Sequence, residues 1–125
     1  MCINVKFITT AANAVSVGLA VINEFIANQD AEIRLKYNNI LSPASLEGNS
    51  CCINIDDSEV NVPLSQLEIM KSIVEILKSR DDIVSILIQD NTMTNGYIIS
   101  YPGIDAMNQE VNAALEGQYY TIYRK

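Results

Sequence analysis

Carboxylates and cysteines are the residues of this sequence whose chemistry could support a catalytic or metal site. Neighbouring carboxylates occur at Asp56-Asp57 and at Asp81-Asp82, and such pairs can serve acid–base catalysis or hold Mg²⁺ or Ca²⁺. Adjacent residues on a strand or turn diverge, however, and neither pair belongs to a recognisable metal-binding loop. We therefore expect both pairs to lie in solvated turns.

Histidine is absent from all 125 residues. Its absence excludes Ser-His-Asp and Cys-His catalytic arrangements and every metal site that depends on an imidazole ligand. The five glycines are scattered singly, which does not fit a glycine-rich phosphate-binding loop. The sequence therefore predicts a protein that is not an enzyme and has no catalytic residue, metal site or cofactor.

The three cysteines, Cys2, Cys51 and Cys52, include an adjacent pair but no Cys-x-x-Cys motif. An odd number with this spacing is not typical of a disulfide framework, and free thiols fit a reducing compartment such as the cytoplasm. Neighbouring strand residues point to opposite faces of a sheet. We therefore expect one thiol of the Cys51-Cys52 pair in the core and the other at the surface.

The charge of the chain is strongly acidic, because 15 Asp and Glu against 8 Lys and Arg give a formal net charge of −7. The ranges 37–70 and 81–123 contain neither lysine nor arginine. Direct binding to nucleic-acid phosphates needs clustered cations, so this class of function is excluded. An acidic surface can simply aid solubility, but two long anionic stretches also match a basic protein partner.

Tyrosines and acidic residues are the side chains best suited to contact such a partner. Five of the six tyrosines occur from residue 97 onwards. Tyrosine gives a large contact area at low entropic cost, although tyrosines on strands also pack against each other within a sheet. The predicted partner-binding residues are Asp56, Asp57, Glu59, Asp90, Tyr97, Tyr101, Tyr119, Tyr120 and Tyr123.

Apolar residues recur at helical spacing in four segments. Thr9 and Thr10 are placed to cap the first helix, Asp30 the second, and a capping box that begins at Ser65 the third. The fourth ends where Gly117 can serve as the C-terminal glycine. The apolar positions are Val15, Leu19, Ile22 and Ile26; Ile33, Tyr37, Ile40 and Leu41; Leu67, Met70, Ile73, Val74 and Leu77; and Ile104, Met107, Val111 and Leu115.

Alternating or continuously apolar segments predict five strands, at 53–55, 60–62, 83–88, 97–101 and 119–123. The first two form a predicted hairpin around the acidic turn, after a loop at 43–49. The third is apolar enough for the middle of a sheet, and the last two are the candidates for an edge. The sequence thus predicts one α+β domain over residues 1–125, with a mainly antiparallel sheet of about five strands covered by about four helices.

The apolar run at 8–26 could be mistaken for a membrane span or a secretion signal. Asn13, Asn23 and Glu24 interrupt it, and Lys6 is the only cation ahead of it. A span needs about 20 mostly apolar residues, and a signal needs a more basic start. We expect a buried helix here, and a cytoplasmic protein without membrane contact.

A family resemblance is carried by ITTAANAVSVGLAVINE at 8–24 and LKSRDDIVSILIQDN at 77–91. These segments are similar to immunity proteins of bacterial contact-dependent growth inhibition and related polymorphic toxin systems. The resemblance implies a cytoplasmic α/β domain that binds and neutralises the C-terminal nuclease domain of a cognate toxin. It also implies β-augmentation, in which a toxin hairpin adds to the sheet of the immunity protein.

The composition is consistent with that function, because a protein that blocks a cationic nuclease should be acidic, fold alone and need no catalytic group. An alternative from another class is a cytosolic small-molecule-binding or adaptor module. Such a module would have an apolar pocket between the first helix and the sheet.

Overall fold

A computed structural model of the chain describes residues 3–56, 60–90, 109–110 and 119–125. The elements in chain order are β1 (Ile3–Thr9), α1 (Ala14–Ala27), α2 (Arg34–Asn38), β2 (Leu41–Leu46), β3 (Ser50–Ile55), α3 (Gln66–Lys78), β4 (Ile83–Asp90), β5 (Gln109–Glu110) and β6 (Tyr119–Arg124). The strands form one sheet in the order β2-β3-β1-β4-β6-β5, and every neighbouring pair is antiparallel. The predicted α+β class with a mainly antiparallel sheet is confirmed, with three helices in the described part of the chain instead of about four.

Strand β1 lies in the middle of this sheet, although no strand is predicted for its residues from the sequence. Ile3, Val5 and Phe7 are buried and alternate with half-buried residues. β3 pairs with one side of β1 and β4 with the other. Thr9 ends the strand, because its hydroxyl donates to the carbonyl of Asp82 at 2.7 Å.

Helix α1 begins later than predicted and buries a different face. Its cap is Asn13, whose Oδ1 accepts a hydrogen bond from the Ser16 N–H at 3.1 Å, so the predicted caps Thr9 and Thr10 are wrong. Its buried residues are Ala14, Val17, Gly18, Val21, Ile22, Phe25 and Ile26. Leu19, predicted to point inward, is 46% exposed. The small residue Gly18 faces the sheet instead, which lets the helix approach closely.

The second helix is much shorter than predicted, since α2 has five residues and Leu41 belongs to β2. Arg34 joins α2 to the end of α1: its Nε donates to the Gln29 carbonyl at 3.0 Å and its Nη2 to the Ala27 carbonyl at 3.1 Å. These bonds satisfy carbonyls at the C-terminal end of α1, as a cation there should.

The predicted hairpin at 53–55 and 60–62 is wrong. The observed hairpin joins β2 to β3 through a turn in which Gly48 has φ +71°, a value that favours glycine. Most of β2 falls in the predicted loop at 43–49. Val60 and Val62 lie outside the strands and pack against the core.

The predictions for the third helix and for the strand at 83–88 are confirmed. The Ser65 Oγ accepts a hydrogen bond from the Glu68 N–H at 3.2 Å and so caps α3. β4 is flanked by β1 and β6, inside the sheet. The predicted strand at 97–101 lies outside the described residues. Of the predicted fourth helix, only Gln109 and Glu110 are described, and they form β5.

Both long helices lie on one face of the sheet. α1 packs on β2 and β3, α3 packs on β1, β3 and β4, and the two helices contact each other. The other face carries polar side chains, with the Asn54 Nδ2 donating to the Asn4 Oδ1 at 2.7 Å. Within the described ranges, no helix has the length and apolarity needed to cross a bilayer.

The contact between Gly18 and Cys51 gives a first testable prediction. A Cβ atom at Gly18 would lie 2.8 Å from the Cys51 Sγ and 3.4 Å from the Pro43 Cβ. We expect Gly18→Ala to destabilise the protein by about 1–3 kcal/mol through overpacking, against a gain of about 1 kcal/mol in helix propensity. In a Cys51→Ala background the sulfur is gone, so Gly18→Ala should become neutral or stabilising.

Urea unfolding of the two single variants and the double variant measures this coupling. Ala20→Gly, at an exposed position of the same helix, is the control for helix propensity alone. The same destabilisation by Gly18→Ala in both backgrounds would contradict the contact.

Tyr37 gives a second prediction, because its side chain is fully buried and no group of the described residues meets hydrogen-bond geometry with its hydroxyl, although the Leu64 N–H lies nearby. Its ring packs edge-on against Phe25, with centroids 5.2 Å apart. Burial raises the pKa of Tyr37, against a smaller lowering by the nearby Leu64 N–H, and the charge of Glu68 raises it further. Tyr37→Phe removes an unsatisfied polar group, so it should leave the unfolding free energy unchanged or raise it by about 1 kcal/mol.

The advantage of Tyr37→Phe should grow above pH 10. Tyrosine in the unfolded chain ionises near pH 10, whereas folded Tyr37 stays neutral, so wild-type stability falls as the pH rises further. Urea unfolding of both proteins at pH 8 and pH 10.5 tests this. A loss of stability in Tyr37→Phe at pH 8 would mean that the hydroxyl has a partner.

Candidate interaction surface

The carboxylate pair at Asp81-Asp82 has a structural role. Arg80 binds Asp82 through two bonds, Nε to Oδ1 at 2.9 Å and Nη2 to Oδ2 at 3.0 Å, and this contact lowers the pKa of Asp82. The Asp81 carbonyl accepts a hydrogen bond from the Lys125 Nζ at 2.7 Å. The pair thus anchors both the start of β4 and the chain end that follows β6.

The adjacent cysteines are both buried, so the predicted surface thiol is wrong. Cys51 faces the helices, and burial raises the pKa of its thiol. Cys52 faces the other side of the sheet, where it is flanked by its partners Lys6 and Ala44 on the neighbouring strands. These flanking residues shield it although it lies outside the core. The described ranges contain no group of three or more possible metal ligands.

At Gly18 there is no room for a pocket between α1 and the sheet, because this residue packs directly on Cys51 and Pro43. A groove of about 360 Å³ lies instead between the end of α1 and α3. Apolar Phe25 and Ile76 line it together with polar side chains that include Glu75. The groove is open to solvent, unlike the enclosed sites that bind small molecules.

Two of the predicted partner-binding residues, Asp56 and Asp90, lie at the same end of the sheet. Asp56 directly follows β3, and Asp90 is the last residue of β4. Ile55 and Asp90 both pair with Ile3, so Asp56 and Asp90 lie on strands on either side of β1. The predicted residues Asp57, Glu59, Tyr97 and Tyr101 lie outside the described residues.

Two of the three tyrosines of β6, Tyr119 and Tyr120, have a described strand on their outer side. Tyr119 and Tyr120 pair with β5, and Tyr120 also pairs with Ile88 of β4. β6 is therefore the second strand from its end of the sheet. Tyr123 pairs with Ile86 and packs partly against the core. Because β6 is antiparallel to β4, Tyr119 lies toward the sheet end that contains Asp56 and Asp90.

The opposite edge of the described sheet is formed by β2, a six-residue strand that pairs with β3 and with no other described strand. Antiparallel strands alternate between residues whose N–H and C=O groups face the partner and residues whose groups face away. The Asp56 N–H donates to the Ile40 carbonyl at 3.0 Å, which fixes this alternation. The backbone groups of Ser42, Ala44 and Leu46 therefore face β3, and the backbone groups of Leu41, Pro43 and Ser45 face outward.

A second bond supports the same alternation. The Thr9 N–H donates to the Asn49 carbonyl at 2.9 Å, so Cys51, Ile53 and Ile55 direct their backbone groups toward β1. The backbone groups of the residues between them, Cys52 and Asn54, must then face β2. Proline on a strand is confined to sites where no ladder donor is needed, and the outward position of Pro43 agrees with this rule.

The outward side of β2 forms what we term the β2 edge: the backbone groups of Leu41, Pro43 and Ser45. It offers three carbonyl acceptors but two N–H donors, since Pro43 has none. The side chains of Ser42, Ala44 and Ser45 are small and exposed, and β2 carries no charged side chain. The sequence prediction missed this edge because Pro, Ser and Ala in the segment are typical of a loop.

No family model, no curated protein and no solved structure matches the chain. Function is therefore inferred from the residues and their geometry.

The alternation along β2 gives a third testable prediction. In the isolated protein the amides of Leu41 and Ser45 should exchange with solvent at least about tenfold faster than those of Ser42, Ala44 and Leu46, because only the latter are paired within the sheet. Amide hydrogen exchange followed by NMR measures each rate.

The central strand β1 is the internal control for this measurement. All its amides should be protected, since β1 is paired on both sides. Uniform fraying of β2 would make all five rates alike. Equal exchange rates, or faster exchange at Ser42, Ala44 and Leu46 than at Leu41 and Ser45, would contradict the assignment of the β2 edge.

Proposed function

We propose that this protein is an immunity protein that binds the basic nuclease domain of a cognate bacterial toxin in the cytoplasm and neutralises it by covering its surface. The single observation that carries the proposal is an open sheet edge within an anionic segment. The β2 edge lies in the range 37–70, which contains five acidic residues and no basic one. A strand of a basic protein could add to that edge, as the family resemblance implies.

The engagement of the basic residues supports a protein partner over a nucleic acid. Arg34 binds the backbone carbonyls of Ala27 and Gln29, and Lys36 binds the Asn61 carbonyl. Arg80 binds the Asp82 carboxylate, and Lys125 binds the Asp81 carbonyl. At least four of the eight cations are thus hydrogen-bonded within the described part of the chain. Nucleic-acid binding depends on clustered cations that reach phosphates.

The alternative of a small-molecule-binding or adaptor module has weaker support. It depends on a pocket between α1 and the sheet, and the close contact of Gly18 with Cys51 leaves no room for a pocket at that point. The groove beside α3 is open to solvent, whereas small-molecule sites bury most of their ligand.

The fourth prediction tests the proposed function with the nuclease domain of a candidate toxin encoded next to this protein. Co-expression should restore growth of cells that produce the active nuclease, and the two proteins should co-purify. The association rate should fall by about tenfold or more between 25 and 500 mM NaCl, because salt screens the attraction between the acidic protein and its basic partner.

Two triple variants with the same change in net charge localise the attraction. Reversal of the predicted contact residues, Asp56→Lys, Asp57→Lys and Glu59→Lys, should slow association. Reversal of exposed residues on the helical side, Glu24→Lys, Glu32→Lys and Glu75→Lys, should slow it less. Absence of growth rescue would reject the immunity function, and a salt-independent rate would reject the electrostatic contribution.

A further inference from the structure

We infer that the β2 edge accepts an extended, cation-bearing strand of a partner protein, and that Pro43 prevents two copies of this chain from pairing through the same edge. Only the basic charge of the partner rests on the proposed function. The strand-accepting chemistry and the role of Pro43 follow from the register of β2 on β3.

The backbone pattern of the edge favours a partner strand over a second copy. An incoming strand can exchange two hydrogen bonds with Leu41 and two with Ser45, and it can donate one to the Pro43 carbonyl. It loses only the bond for which Pro43 has no donor. Two copies of β2 paired with each other would bring two prolines to the contact, so the loss doubles.

The most symmetric self-pairing makes this loss most severe. A two-fold axis that pairs Leu41 of one copy with Ser45 of the other places Pro43 opposite Pro43. Neither residue of that central pair can donate, and the two rings face each other. Self-pairing also brings together two chains that each carry a formal net charge of −7.

Carboxylates mark both ends of the edge, which defines the partner by charge. Glu47 directly follows β2 and is exposed. Asp56 pairs with Ile40, the residue that precedes β2, through the bond from its N–H to the Ile40 carbonyl. Ile40 and Glu47 are seven residue steps apart along the extended chain, or about 23 Å at about 3.3 Å per residue. A strand with a cation near each end of a segment of that length matches both charges.

Nothing in the side chains of β2 excludes such a strand. Edge strands are normally protected by charged side chains, bulges, covering elements or proline. β2 carries no charged residue, its ladder to β3 is continuous, and its exposed side chains are small. Pro43 is the one protecting feature that the described strand contains, and it removes a single donor.

The first experiment measures self-association and needs no partner. Pro43→Ala restores the missing N–H, so this variant should form a dimer at several hundred micromolar protein in 0.5 M NaCl, where charge repulsion is screened. Wild type should remain a monomer in the same buffer. Adding Ser45→Pro to Pro43→Ala removes another outward donor and should return the protein to a monomer. Sedimentation equilibrium gives the mass of each.

Pro63→Ala is the matched control, because Pro63 is exposed and lies outside the strands. Circular dichroism and thermal melting verify the fold of every variant. A monomeric Pro43→Ala, a dimeric wild type, or a dimer that persists in the double variant would each overturn the role assigned to Pro43.

The second experiment tests the charge of the partner with a synthetic peptide as the probe. The peptide has eight residues, with lysine at each end and alternating valine and threonine between. We expect it to shift the NMR signals of Leu41 and Ser45 in wild type and to bind Ser45→Pro at least about tenfold more weakly. A peptide with glutamate in place of both lysines should also bind at least about tenfold more weakly.

Pro63→Ala should bind the lysine peptide as wild type does. No binding, equal binding of the two peptides, or shifts confined to another surface would overturn the inference. These outcomes are separable from those of the toxin experiment. Failed growth rescue with a positive peptide result rejects the immunity function alone, and rescue with a negative peptide result places the toxin on another surface.

Discussion

The two-sided pairing of β1 is the contact on which the rest of the sheet depends. β2 reaches the sheet only through β3, and β6 and β5 reach it only through β4. β3 and β4 meet only across β1, so seven residues at the start of the chain join two halves that come from distant parts of the sequence. Ile3, Val5 and Phe7 also supply the middle of the buried core. Loss of this one strand would separate the halves and uncover the core together.

The helical layer fixes the position of the β2 edge. α1 packs over β2 and β3, and the close approach at Gly18 brings it within van der Waals reach of Cys51 and Pro43. Pro43 is thus held from the helical side by packing, and its neighbours Ser42 and Ala44 are held by the ladder to β3. A binding edge held in this way loses little freedom when a partner arrives. The same small residue that permits the tight core therefore also presents the edge in a fixed geometry.

The sequence correctly predicted the elements that nearby residues determine through caps, apolar periodicity or β-branched runs. The capping box at Ser65 and the apolar face behind it specify α3, and the β-branched run at 83–88 specifies a central strand. β1 carried a usable signal, since Ile3, Val5 and Phe7 alternate with polar residues, but the longer apolar run that follows dominated the pattern and left the segment unassigned. β2 carried none, because an edge strand of Ser, Pro and Ala becomes a strand only by pairing with β3.

The candidate surface was predictable only in its charge. Asp56 and Asp90 lie 34 positions apart in the sequence, and only the register of β3 and β4 on β1 shows that both lie at one end of the sheet. Charge and backbone pattern then act at different distances. Attraction of a cation extends over roughly a Debye length of about 8–10 Å, whereas the donors and acceptors of the β2 edge act only at contact. The anionic segment therefore governs how fast a strand arrives, and the pattern at Leu41, Pro43 and Ser45 governs how long it stays.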